Sequence, residues 1–346
     1  MRPEIPSSKY LDMQIYGIDL ASEKFDVSFV GEDGRPRHMV VKNAITQIER
    51  FLDNLPADAH IVAEHTGVYG DLLLYLADIR GIAVSYVQAY AIKHSMGLVR
   101  GKSDPLDCAR IREYGERYAD RLILTHFPSE SLYMLKELHS TRRLLVDMRK
   151  LALAGLHGDQ KRPLHSNVAE RAKAAAIEEL AARIDEVEKE MLRIIDQDPA
   201  LKKTSEIVRS IPGLGPVTTT ELIIKTDNFT RVATAKKCAT LAGISPWPNS
   251  TGKSDRGCHV SHMGDTELKS LLYMCARSAS VYFEKMRIYK MKKLDVEKKH
   301  FFVVMNNIAN RLLKIIYALV RKGEMFDPNF VTIDPRLEAC NQHFLT

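Results

Sequence analysis

Asp19, Glu64, Asp104 and Asp107 are spaced along the chain as the ligands of a two-metal nuclease site would be. Asp19 ends the apolar run Ile15–Asp19, Glu64 ends His60–Glu64, and Asp104 and Asp107 open a helix after the basic stretch 98–103. Four carboxylates aimed at one point repel each other. A divalent cation, Mg²⁺ (or Mn²⁺), is the usual remedy, because hard cations take oxygen ligands. Two such ions about 3.5–4 Å apart activate an attacking oxygen and stabilise a leaving one in phosphodiester cleavage. Each acid alone has a blander explanation. Asp19 can simply end a strand, and Asp104-Pro105-Leu106-Asp107 is a good helix start, with Asp104 as N-cap and Pro105 first in the helix. What favours chemistry is the set: two strand ends and one helix start, with Asp104 and Asp107 three apart on one helical face. Lys93, Arg100 and Lys102 would suit the phosphates of a scissile strand, although solvated lysines are the ordinary case.

These acids need elements to hold them. Residues 12–45 read as a hairpin or meander, with Glu32-Asp33-Gly34-Arg35 supplying an Asp-Gly turn before His38–Lys42. Ile45, Ile48, Phe51 and Leu52 have helical spacing. His60–Glu64 reads as a buried strand, Tyr69–Arg80 as a helix and Ile82–Val87 as a further strand. Strands alternating with helices after an opening hairpin indicate an α/β layer on a mixed sheet, the order of a ribonuclease H-like (RuvC-like) domain. From Ser129 to about Lys202 the pattern is all-helical. Ile177, Leu180, Ile184, Val187, Met191 and Ile194 form a coiled-coil seam, and 155–167 reads as the turn between two antiparallel helices. This segment serves equally well as a spacer or as a dimerisation arm.

A third unit follows Pro199. Ile211–Val217, followed by Thr218–Ile224, resembles a helix-hairpin-helix turn, in which Gly213 and Gly215 let backbone N–H groups approach a phosphate. A plain packing corner explains it as well. Arg231–Leu241 reads as a helix, Ala242–Met263 as a long Gly/Pro/Ser-rich loop of the kind that is usually functional or disordered, and long helices resume at Thr266–Tyr289 and His300–Lys322. The chain thus divides into an α/β domain at 1–125, a helical coiled-coil segment at 126–203, a mostly α-helical domain at 204–325 and a tail at 326–346.

Composition excludes several classes. A hydrophobic content of 45% and a charged content of 27% are those of an ordinary soluble protein. The five cysteines, at 108, 238, 258, 275 and 340, have no CxxC spacing, which disfavours disulfide or zinc frameworks. Cys258, His259 and His262 lack a fourth ligand nearby. No run reads as a signal peptide or membrane span, and the cysteine usage fits a reducing cytoplasm, so the expectation is a cytoplasmic protein without a membrane partner. Charge is unevenly placed. Residues 251–322 carry 15 Lys/Arg and 6 Asp/Glu, a local +9 in a chain whose formal charge is +6. That surplus points to a polyanion partner bound in a salt-sensitive way.

The motifs Gly17-Ile18-Asp19-Leu20-Ala21, Ala63-Glu64-His65-Thr66-Gly67-Val68-Tyr69 and Gly101-Lys102-Ser103-Asp104-Pro105-Leu106-Asp107-Cys108-Ala109-Arg110 resemble those of the DEDD insertion-sequence transposases, the Piv/MooV-like or IS-one-ten family. The C-terminal half agrees, in Ser210–Thr218, Leu241–Pro246 and Ser261–Met274. The resemblance implies a DNA recombinase with a RuvC-like N-terminal domain and a second transposase domain. It implies Asp19, Glu64, Asp104 and Asp107 as metal ligands, and DNA (element ends and target) as partner. It further implies a structured guide RNA and a homo-oligomer, dimer or tetramer, in which a serine from one subunit completes the acidic site of another.

The family's serine stands directly before a glycine in the loop after Leu241–Pro246. Here Thr251 has that place before Gly252, with Ser250 just ahead of it and Ser254 two residues beyond the glycine. A primary hydroxyl reaches a phosphate more easily than a β-branched one, which places Ser250 and Ser254 ahead of Thr251. Lys253 and Arg256 would stabilise developing phosphate charge. The competing readings are a RuvC-like hydrolytic junction nuclease, a catalytically impaired RNA/DNA-binding relative, and an actin-like sugar kinase or ATPase. The last lacks a second Gly-rich phosphate loop.

Overall fold

The first three strands among the described residues form a meander: β1 (Gln14–Leu20), β2 (Lys24–Val30) and β3 (Pro36–Lys42), each antiparallel to the next. The structure is a computed structural model and describes residues 13–95, 97, 103–159, 161–251, 254–260 and 263–329. The Asp33-Gly34 turn joins β2 to β3, with Gly34 in the left-handed region at φ 73°. Next come α1 (Ile45–Asp53), β4 (Ala59–Glu64), α2 (Asp71–Ile79), β5 (Ala83–Val87), α3 (Ala89–Ser95) and α4 (Asp104–Arg117). β4 lies parallel to β1 and β5 parallel to β4, giving a mixed sheet of order β3-β2-β1-β4-β5. Ile48, Phe51 and Leu52 of α1 are buried as their spacing predicts, but Ile45, in the first turn, is exposed.

Strand side chains alternate between two faces. Tyr16, Ile18, Phe25, Val27, Ile61 and Ala63 pack with α1 and α2. Ile15 and Val62 face the other way, onto Ile92 of α3 and Ile111 of α4. Gly17 decides how closely α4 approaches. A Cβ at that position would stand 2.3 Å from the Arg112 backbone nitrogen and 2.4 Å from the Cys108 carbonyl oxygen. Backbone therefore seats on backbone, and Arg112, whose Nε donates to Ser28 Oγ at 3.2 Å, fastens the helix to β2. We expect Gly17→Ala to cost about 3 kcal/mol of folding stability, because neither backbone can give way. A denaturant midpoint unchanged from wild type would refute this.

Residues 1–128 and 129–346 form two compact units. In the second, α5 (Glu130–Asp159) and α6 (Asn167–Gln197) make the expected antiparallel hairpin, closed by Arg142 Nε on Glu188 Oε1 at 2.6 Å. Ile184, Met191 and Ile194 of the seam are buried. α7 (Pro199–Arg209), α8 (Pro216–Thr226) and α9 (Ala235–Leu241) follow, and α9 starts later than its periodicity suggests. Asp227, Asn228 and Phe229 all take positive φ, and the helix waits for Thr234, whose hydroxyl accepts from the Lys237 amide. Two strands, β6 (Pro246–Thr251) and β7 (Ser254–Val260), precede α10 (Thr266–Tyr282), α11 (Glu284–Met291) and α12 (Phe301–Lys322).

The single helix expected over 266–289 breaks at Phe283, which turns inward against Phe326, while Tyr282 is left exposed. α12 is long and apolar enough to cross a membrane by length and composition, contrary to expectation. Its buried residues, among them Ile308, Leu312 and Ile316, lie at the centre of the helical core instead.

Candidate active site

The α4 side of the sheet carries the acids. Asp19 is two residues beyond Gly17 on β1 and therefore shares its face, and Glu64 stands likewise beyond Val62 on β4. Register pairs Asp19 with Asp26 of β2, and cross-strand partners point the same way. The backbone contact at Gly17 brings the first turn of α4, with Asp104 and Asp107, over the end of β1.

Electrostatics tie the group together. Burial, then the negative charges of Asp107, Glu64, Asp104 and Asp26 in that order, push the Asp19 carboxyl up to about 6. Asp19 and Glu64 have no hydrogen-bond or salt partner among the described residues, whereas the helix acids have cations. Lys24 Nζ lies 3.2 Å from both Asp104 Oδ2 and Asp26 Oδ2, and these bonds hold its proton more tightly than usual. Arg110 Nη1 is 2.8 Å from Asp107 Oδ1. The donor set, carboxylate oxygens of which one resists ionisation, fits a hard divalent cation.

The N-terminus of α4 differs from the expected cap. Ser103 is the N-cap, so Asp104 is the first helical residue and Pro105 the second; the Asp104 carboxylate goes to Lys24 rather than to the helix amides. The bland explanation for Asp104 is thereby removed. Asp26 is the residue that sequence reasoning missed. It is almost wholly buried and holds both Lys24 and His38, whose Nε2 is 2.7 Å from Asp26 Oδ1. The signal was present in β2, where polar Lys24, Asp26 and Ser28 alternate with Phe25, Val27 and Phe29. Lys93 is exposed on α3, while Arg100, Lys102 and Lys253 lie outside the described residues.

Residues 16–158 match the DEDD transposase model of IS110 elements, and residues 205–290 match the model "Transposase IS116/IS110/IS902 family". The chain belongs to the IS110 family of transposases. A pilin gene-inverting protein of Moraxella bovis is 24% identical over 329 residues, spanning 90% of this chain and 97% of that protein. The transposase for insertion sequence element IS1328 of Yersinia enterocolitica is 21% identical over 355 residues, spanning 91% and 99%. This transposase is accordingly a DNA recombinase-type enzyme.

The C-terminal segment expected as a loop over 242–263 is, in the transposase, a two-stranded ribbon. Thr251 pairs with Ser254 across residues 252 and 253, Ser250 pairs with Asp255, and an irregularity separates that pair from Pro248 and Cys258. Arg256 lies in β7. The tip therefore carries the three candidate hydroxyl residues within one short stretch of backbone. The root is firmly built. Asn306 and Asn310 of α12 both donate to the Ile244 carbonyl, at 2.9 and 3.0 Å, and a Cβ on Gly264 would meet the Gly243 backbone at 2.4 Å. Exposed Trp247 stands near that root.

The two glycines of the 211–217 turn differ. Gly213 takes φ 96°, and a Cβ there would meet the Ala279 backbone of α10 at 2.7 Å, so backbone conformation and packing both call for glycine; Gly215 opens onto free space at the start of α8.

Proposed function

We propose that this transposase excises and inserts its own insertion sequence by divalent-metal-dependent cleavage and exchange of DNA strands, using a hydroxyl of the 250–254 tip and a structured guide RNA. The observation that carries the reading is the convergence of Asp107, Glu64 and Asp104 on a half-buried Asp19 whose ionisation they resist. Asp19, Glu64, Asp104 and Asp107 are the residues that would hold Mg²⁺ or Mn²⁺. When bound, the ions polarise the scissile phosphodiester and offset the charge of the attacking and leaving oxygens.

The chain's own groups do the rest. Lys24 and Arg110 keep the α4 carboxylates in place by charge until the site fills, and Asp26 holds Lys24 at its station. A ribbon hydroxyl gives up its proton and its oxygen bonds to phosphorus, as the strand oxygen departs and takes up a proton, leaving DNA joined to protein; a strand-end hydroxyl of the partner DNA then displaces the ribbon oxygen, which regains its proton. Arg256 and Lys253 suit the charge that develops. The name of the Moraxella relative, a gene inverter, supports rearrangement of DNA rather than its degradation. An exposed stripe on α5, Leu144, Met148 and Leu151 at helical steps of four and three, supports assembly with further copies of the chain. A cytoplasmic setting suits a protein that acts on the chromosome.

The test is a strand-exchange reaction with element-end DNA, target DNA and transcript from the element's flank. Joined products should need Mg²⁺ or Mn²⁺ and vanish with chelator. Products with free ends and no joined DNA would instead identify a hydrolytic nuclease. Binding without any cleavage, which the Thr251-Gly252 step makes worth checking, would identify an inactive relative.

A further inference from the structure

The unit formed by residues 129–346 buries a second set of metal-ligating side chains that the strand-exchange reading does not use. His139 of α5, Glu221 of α8 and Glu267 in the first turn of α10 bring one ligand atom each to within 4.8 Å of one another. Glu221 has no exposed surface, and neither of its oxygens has a hydrogen-bond partner. A buried carboxylate left so costs several kcal/mol unless something answers its charge.

The neighbouring cations answer it poorly. Lys225 Nζ is 3.7 Å from Glu221 Oε1, beyond hydrogen-bond reach, and is bound instead to Asp265 Oδ2 at 2.8 Å. Arg143 Nη1 takes Glu267 Oε2 at 2.9 Å, leaving Oε1 on the His139 side. His139 Nε2 comes within 2.9 Å of Glu221 Oε2, yet without the direction a hydrogen bond requires. Two ligands of one ion behave in this way, since each points at the ion and not at the other. Ligands about 2.0–2.2 Å from one tetrahedral ion stand roughly 3.3–3.6 Å apart. The His139 nitrogen lies 2.9 and 3.8 Å from the two glutamate oxygens, one inside and one outside that spacing, so an ion between them needs shifts of only a few tenths of an ångström.

We infer that His139, Glu221 and Glu267 bind a transition-metal dication, Zn²⁺ being the best match, which fastens the first helix of the long hairpin to the helical core. The imidazole nitrogen distinguishes this site from the all-oxygen one around Asp19, since imidazole suits zinc and its neighbours while Mg²⁺ prefers oxygen. Being wholly enclosed at Glu221, the site is suited to holding α5, α8 and α10 together rather than to turnover. The inference does not depend on the strand-exchange reading.

Full-length protein stripped with chelator, dialysed against micromolar Zn²⁺ and analysed for metal should hold one more zinc ion per chain than Glu221→Gln or His139→Asn. Zinc should raise the melting temperature of wild type and of Asp19→Asn alike, with affinity at least about 100-fold weaker in the two cluster variants. Cobalt substitution should give visible absorption bands in wild type and in Asp19→Asn but not in the cluster variants. Should Glu221→Gln fail to fold, Glu267→Gln, on the more open side, serves instead. Equal zinc content in wild type and cluster variants, or no thermal response to zinc, would overturn the inference and leave a buried ion network held by Lys225 and Arg143.

Discussion

Asp19→Asn is expected to lower strand exchange by about 1,000-fold or more while making the metal-free protein melt higher than wild type near neutral pH. The first effect follows from loss of the ligand on which the other acids converge. The second follows from linkage. The Asp19 carboxyl is raised to about 6 from an ordinary 3.8, so the folded state holds its proton more tightly than the unfolded chain does. Stability from this group is therefore complete at low pH, declines as pH climbs from about 4 to about 6, and is gone above that. Asparagine has no such titration. Because Asp19 is only half-buried, solvent screening trims the gain. Melting curves from pH 4 to 7.5 without metal should show the variant's advantage opening across this window. A variant no more stable than wild type at pH 7.5 would break the link between the acidic cluster and metal demand. Magnesium should stabilise wild type and leave the variant nearly unmoved.

The double substitution Ser250→Ala with Ser254→Ala is expected to abolish both joined product and covalent protein–DNA adduct, while DNA binding persists. Loss of an attacking nucleophile removes the step itself, so residual exchange should fall below about one part in 10⁴. Each single variant then identifies the working hydroxyl by whether adduct survives on denaturing gels. Full activity in the double variant, with adduct lost only in Thr251→Ala, would instead give the role to the residue directly preceding Gly252. Both serines belong to the ribbon tip, whereas the close Gly243–Gly264 backbone contact lies at its root.

Local patterns carried much of this structure. The alternation in 14–42, the apolar run before Glu64 and the seam from Ile184 to Ile194 each reflect a face that must be buried, and such faces are readable from spacing alone. Four acids at two strand ends and a helix start were equally readable. What could not be read depends on residues far apart in the chain. Asp26 joins the acids only because antiparallel register sets it opposite Asp19, and Lys24 reaches Asp104 only once α4 is seated. The 246–260 ribbon was hidden by its prolines, glycine and polar residues, which read as loop until the root supplied by Asn306 and Asn310 holds it. Phe283 ends α10 because Phe326, 43 positions later, offers it a packing partner. The His139, Glu221 and Glu267 grouping was invisible for the same reason, its members lying on three helices.

Seating α4 through main-chain atoms at Gly17 has a consequence for engineering. The opposite layer, where Ile18, Phe25, Ile48 and Leu73 interlock, can exchange one aliphatic group for another at a cost in stability alone. Nothing in that layer sets the distance between strand and helix on the acidic side. A redesign for hardiness should therefore work on the α1 and α2 layer, treating positions 17 and 115 as fixed dimensions of the enzyme; at 115 an added methyl would strike Ile15 and Val62.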